Sequence, residues 1–143
     1  MEKHYRNSHS VYRCLYHLVL TTKYRRKIFN EGLIAYFKER MKDIEEHYPQ
    51  IRMLKINHEA DHVHMLVSIA PQISVGNAVK TIKSISGREM RKKFAFLKKA
   101  YWGSDGIWSS SYYVDTIGNN EEAIRRYIDM QGKEDLGQAE FKL

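Results

Sequence analysis

Apolar and polar residues alternate along some stretches of this chain and recur every three or four positions along others, and these two periods divide it into strands and helices. Residues 11–21, Val-Tyr-Arg-Cys-Leu-Tyr-His-Leu-Val-Leu-Thr, are rich in β-branched and aromatic types and hold no Gly or Pro, which predicts a long central strand. A basic connector follows, Thr22-Lys23-Tyr24-Arg25-Arg26-Lys27. Asn30 is placed as an N-cap, with Phe29 and Ile34 at the spacing of a hydrophobic staple. A helix is therefore predicted over residues 31–47, where Leu33, Ile34, Phe37, Met41 and Ile44 make one apolar stripe, and Pro49 ends it. Residues 51–58 alternate (Ile51, Met53, Leu54, Ile56), and residues 61–69 alternate again after the tight Glu59-Ala60 connection, which reads as a hairpin.

Pro71 breaks the chain, and Ser74 is an N-cap for a helix from residue 75 to about 94. Val75, Ala78, Val79, Ile82, Ile85 and Met90 share one side of it, while Lys80, Lys83, Arg88, Arg91 and Lys92 lie on or near the other. Residues 96–106 read as irregular, and residues 107–117 contain the strand-like Tyr112-Tyr113-Val114. Asn119 followed by Glu122 resembles a capping box for a last helix over residues 120–131, with Gly132 as its stop. The order β-α-β-β-α-β-α predicts an α+β protein: a ferredoxin-like (RRM-like) split βαβ with a four-stranded antiparallel sheet, plus an extra C-terminal helix. Residues 1–143 are expected to form a single domain, with a tail from about residue 132.

Composition narrows the functional classes. The formal charge is +7, from 24 Lys and Arg against 17 Asp and Glu, which favours a polyanionic partner. No apolar run approaches the roughly 20 residues that span a bilayer, and the first residues lack a signal peptide's apolar stretch, so a cytoplasmic protein without a membrane partner is expected. The lone Cys14 forms no internal disulfide and no thiolate metal site; its apolar surroundings predict a buried strand residue. Aromatics make up 12% of the chain, with 10 tyrosines, and rings beside cations are the two means of holding unpaired bases.

Two local patterns carry chemistry. In a strand His62 and His64 project from one side while Val63, Met65 and Val67 project from the other. Two imidazoles one residue apart can share a metal ion if further ligands come from elsewhere, although the same pattern also suits polar residues on a partly exposed strand face. On the last helix a spacing of four puts Tyr127 and Gln131 on one face, so a phenol and a neutral oxygen ligand can reach the same point; a tyrosine packed on the sheet above a surface glutamine fits that spacing too.

Over nearly its whole length the chain resembles the single-tyrosine HUH transposases, the TnpA enzymes of small insertion sequences that move as single-stranded DNA. The resemblance rests on Thr22-Lys-Tyr-Arg-Arg-Lys-Ile-Phe29, Asp61-His-Val-His-Met-Leu-Val67, the Val-Lys-x-Ile-Lys core within residues 74–94, Trp108-Ser-Ser-Ser-Tyr-Tyr-Val114 and Ala123-Ile-Arg-Arg-Tyr-Ile-Asp-Met-Gln131. Ser110 departs from it where a proline is expected, which touches only the local turn. The resemblance implies that His62 and His64 are metal ligands completed by Gln131, that Tyr127 is the nucleophile, and that Mg2+ or Mn2+ is the working ion. It implies covalent attachment to a 5′-phosphate of single-stranded DNA, hairpins at element ends as targets, a homodimer, and no small-molecule cofactor. Arg25, Arg26, Lys80, Lys83, Arg88, Arg91 and Lys92 are the candidate phosphate contacts, with a solvated charged face as the alternative. Two rival readings are a domesticated relative acting on chromosomal palindromic repeats and a binding module without catalysis, which would have no need of metal ligands.

Overall fold

A computed structural model of the chain describes residues 4–118 and 120–130. Its elements are β1 (Tyr5–Arg6), β2 (Val11–Tyr12), β3 (Leu15–Thr22), α1 (Glu31–His47), β4 (Ile51–His58), β5 (His62–Ile69), α2 (Val75–Lys93), α3 (Ala95–Ala100), β6 (Trp108–Ile117) and α4 (Glu121–Met130). Strands β3 to β6 form one antiparallel sheet in the order β4-β5-β3-β6. With α1 joining β3 to β4 and α2 leading from β5 towards β6, this is the ferredoxin-like arrangement that the periodicities predict.

The side chains of β5 alternate between two covered faces. Val63, Met65, Val67 and Ile69 join Leu18 and Leu20 of β3 in a core with Leu33, Phe37, Met41 and Ile44 of α1 and Ala78, Val79, Ile82 and Met90 of α2. On the opposite face Leu66 joins Leu15, Ile117 and Ile128 of α4 in a smaller cluster. The register between β4 and β5 shifts between Met53 and Lys55. Before this bulge odd-numbered residues of β4 face α1 and α2; after it Lys55 and Asn57 pair with Leu66 and His64 and face α4.

Three expectations from the sequence are corrected. The strand expected over residues 11–21 is divided: Val11–Tyr12 pairs with Tyr5–Arg6 in a separate ribbon, and only Leu15–Thr22 enters the main sheet. Strand propensity is alike on both sides of the break; what changes is the pairing partner, which local composition does not encode. Cys14 falls in the gap and is half-buried, outside any strand, with its carbonyl accepting the Ile69 amide at 3.1 Å. The stretch 96–106 is not irregular throughout, because Ala95–Ala100 forms α3, a single turn and a half anchored by the buried Leu97 and too short to show a period. Asn119, Gln131 and Gly132, to which cap, ligand and stop roles were assigned, lie outside the described residues.

The predicted caps operate. The Asn30 side chain accepts from the Leu33 amide at 2.8 Å, with Phe29 and Ile34 both buried beside it, and Ser74 accepts from the Asn77 amide at 3.0 Å. Asn30→Ala is expected to destabilise the protein by about 1 kcal/mol, read as a lower denaturant midpoint at unchanged slope; an unaltered midpoint would show that the cap contributes nothing.

Candidate active site

His62 and His64 project from β5 towards α4, as strand alternation requires, and are not on an open polar surface: they are 5% and 1% exposed. Their rings lie 4.9 Å apart. His62 Nδ1 is 2.7 Å from Asp61 Oδ1, and a carboxylate only accepts, so the imidazole donates there and keeps its Nε2 lone pair. Asp61 is held in turn by Arg25, whose Nε is 3.1 Å from Oδ2. Burial by itself raises the Asp61 carboxyl, but the hydrogen bonds from His62 and Arg25 outweigh it and hold the group below the ordinary carboxylate value.

The connector after β3 makes this approach possible. Tyr24 and Arg25 adopt left-handed backbone with φ of 61° and 55°, a conformation that costs energy in residues other than glycine. It is held by the Thr22 hydroxyl, 2.7 Å from the Arg26 carbonyl and 3.1 Å from that of Asp61, and by the Tyr101 hydroxyl, which donates to the Lys23 carbonyl at 3.0 Å.

A third histidine belongs to the same cluster. His17 Nε2 of β3 lies 3.2 Å from His64 Nδ1, and the two rings are nearly parallel at 21°. Its ring meets Tyr113 and Tyr127 edge-on, each at 5.9 Å. Burial pushes this imidazole down to about 4, with the Asp115 carboxylate pulling weakly the other way.

The Tyr127 ring stands 5.7 Å from that of His64 and 5.9 Å from that of His17, so α4 brings the phenol to the imidazole face of the sheet. Ile128 is the apolar anchor of this docking. Asn57 Nδ2 donates to the Ile128 carbonyl at 2.7 Å, and Lys55 pairs with Asp129 at 2.6 Å. These two contacts use the side chains that the β4 bulge turns towards α4.

The candidate phosphate contacts are not all gathered here. Arg25 reaches the site through Asp61, and Arg26 lies over the Tyr24 and Tyr101 rings at 5.2 and 5.1 Å. Lys80, Lys83, Arg88, Arg91 and Lys92 line a groove of about 700 Å³ with Trp108 and Tyr112. Trp108 and Tyr112 belong to the α1/α2 core, so this groove lies on the far side of the sheet from Tyr127.

Among the described residues no three His, Cys, Asp or Glu are grouped so as to hold a metal ion. The donors present are the imidazoles of His62 and His64, which suit a borderline divalent ion but need at least one further ligand of another kind. The site contains residues that the sequence pattern did not single out: His17, Lys55, Asn57, and Arg13 described below. For His17 the signal was a lone imidazole in an otherwise apolar strand, on the same parity as Leu15 and Val19.

The fold defines the chain as an α+β protein with helices packed on a four-stranded antiparallel sheet. The profile of the family described as Transposase IS200 like matches residues 10–131, and the chain belongs to that family. It is 34% identical over 128 residues to the transposase of insertion sequence IS200 from Salmonella typhimurium, covering 90% of this chain and 83% of that one. It is 32% identical over 122 residues to the ISDra2 transposase TnpA of Deinococcus radiodurans, covering 85% and 86%. Among solved structures it resembles a transposase-type protein of Deinococcus radiodurans R1, with a TM-score of 0.71 and 30% identity over 89% of this chain and 97% of that one. It also shares its fold with a REP-associated tyrosine transposase bound to a REP hairpin, at a TM-score of 0.57 and 14% identity over 90% and 69%. Among the described residues no helix is long and apolar enough to cross a membrane.

The start of α4 is fastened by charge. Glu121 pairs with Arg13 and, at 2.9 Å, with Arg125 one turn on. Burial raises the Glu121 carboxyl, but Arg125 and Arg13 together hold it below its ordinary value of 4.5. A carboxyl lowered on folding adds stability above its unfolded value, and this is lost as the pH falls through the lower folded one. Glu121→Gln is therefore expected to lower the denaturation midpoint at pH 7, with the gap from the parent protein closing on acidification below 4.5. A gap that persists unchanged at pH 3 would mean that the carboxylate charge is not what holds the helix.

Proposed function

We propose that this protein cuts and rejoins single-stranded DNA through a covalent 5′-phosphotyrosine on Tyr127, at hairpin-bearing ends of an insertion sequence. The observation that carries the reading is the meeting of the Tyr127 ring with His64, at 5.7 Å, on the sheet face that also holds His62. The Tyr127 oxygen attacks phosphorus in line, and the bond from phosphorus to the 3′ oxygen breaks. The proton lost from the phenol is balanced by the one gained on the released 3′-hydroxyl. The phosphotyrosine keeps the energy of the broken bond, so a second 3′-hydroxyl can reverse the displacement and join strands without ATP. His62 and His64, with Gln131, would hold a divalent ion, Mg2+ or Mn2+, which would supply positive charge to offset that of the phosphate in the transition state.

The basic groove along α2 supports a polyanionic substrate, and its lysines and arginines are suited to contact phosphates without reading sequence. The binding-only alternative leaves the buried imidazole pair and the phenol above it without a purpose. Tyr127→Phe, incubated with labelled single-stranded DNA, is expected to give no covalent adduct, and His62→Ala and EDTA are each expected to abolish cleavage. Adducts formed by the Phe variant would dismiss Tyr127 as nucleophile; undiminished cleavage in EDTA would dismiss the metal.

A homodimer is proposed as the working assembly. Among the described residues the sheet order leaves β4 and β6 at its edges, and an edge strand of ten residues such as β6 offers a long row of backbone groups to a second copy. Sedimentation at working concentration is expected to give a dimer, and a monomer there would refute this assembly.

A further inference from the structure

We propose that His17 is a positioning residue for His64: it accepts the Nδ1 proton of His64 and so leaves His64 Nε2 as a lone pair for a cation. The inference deepens the reading of His62 and His64 as cation donors and rests on it for its purpose, but the proton's position is a separate fact.

In the β3–β5 register Val19 lies opposite His64 and His17 opposite Leu66, so His17 is the diagonal neighbour of His64 on the same face. That diagonal brings His17 Nε2 to 3.2 Å from His64 Nδ1. Between two neutral imidazoles one proton lies along that line, and it belongs to one ring or the other. If His17 donates, the proton of His64 sits on Nε2, its Nδ1 is already engaged, and it offers a cation nothing. If His64 donates, its Nε2 is bare. His62 solves the same problem with a different partner, since its Nδ1 is tied back to Asp61 at 2.7 Å. Each ring of the pair thus has its Nδ1 engaged by a neighbour, a carboxylate for His62 and an imidazole for His64. Such outer partners set tautomer and ring orientation and raise the basicity of the ligating nitrogen. His17 is also fixed in place, 1% exposed and walled by Tyr113 and Tyr127.

The test uses the whole chain, labelled with 15N-histidine and free of metal, with long-range 1H–15N NMR at neutral pH reading the tautomer of His64. Nδ1 is expected to carry the proton and Nε2 to be bare; a proton on Nε2 would overturn the proposal without any variant being made. Calorimetric titration with Mn2+ in the absence of DNA then compares His17→Leu with His17→Gln, whose side-chain oxygen can accept the same proton. The Leu variant is expected to bind Mn2+ about 10- to 100-fold more weakly, and the Gln variant to recover most of that loss. Affinity in the Leu variant equal to the parent's would overturn the positioning role. Should the parent protein take up no Mn2+ at all, the donor reading of His62 and His64 fails, while the tautomer of His64 still decides the part of His17.

Discussion

Because successive side chains on a strand point in opposite directions, the eight residues of β5 must serve two interfaces at once, and all eight are buried. One set carries the main core against α1 and α2, and the other carries His62, His64, Leu66 and Ser68 under α4. Moving the imidazoles out of their place would move Val63 and Met65 out of the core, so the site inherits the rigidity of the fold. Burial also obliges each ring to find a partner for its polar atoms, since an unmatched buried nitrogen costs on the order of 1–3 kcal/mol. The Asp61–His62 and His17–His64 contacts meet part of that demand, engaging one nitrogen of each ring with groups from the adjacent residue and the neighbouring strand.

Two local irregularities then adapt a regular sheet to this purpose. The bulge in β4 changes which face its later residues serve, and without it Lys55 and Asn57 would point into the α1/α2 core. The left-handed pair Tyr24-Arg25 sends the chain back so that Arg25 meets Asp61. Both features depart from ideal geometry, and both are restrained from several directions, which is what keeps such departures in place.

Much of this was legible where the governing signals are local. The limits of α1 follow from Asn30, the Phe29–Ile34 staple and Pro49, all within a turn of the ends they set. The faces of β5 follow from plain alternation, and the doubled apolar pair Met53-Leu54 in an otherwise alternating strand falls where the register shifts. What escaped depends on register or on packing between distant segments. The break at Cys14 exists because β2 has a different partner, β1. The place of His17 in the cluster needs the β3–β5 register, in which its neighbours across the strand lie some fifty positions on. Nor does an amphipathic pattern tell which side of a sheet a helix covers, so the separation of the α2 basic groove from the phenol could be seen only in three dimensions.

The three long elements packed on the sheet are not held alike. Helix α1 buries five apolar side chains, and α2 buries four together with Ser86 and Gly87, whereas α4 buries Ile128 alone. Ile124 and Tyr127 pack part-buried against the same small cluster, and Asn57, Lys55 and Arg13 add polar contacts reached from β4 and from the segment before β3. Apolar burial involves no titrating group, while ion pairs with partly exposed partners are screened by salt and lost once the carboxylate is protonated. The element that carries the phenol is thus the one whose attachment is least like a core and most dependent on charge. Local opening in proteins follows just such differences in buried apolar contact, because each region separates at its own free energy and not at that of the whole. The three histidines stand on strands that also carry the main core, and the tyrosine stands on the helix with the fewest fully buried apolar side chains of the three.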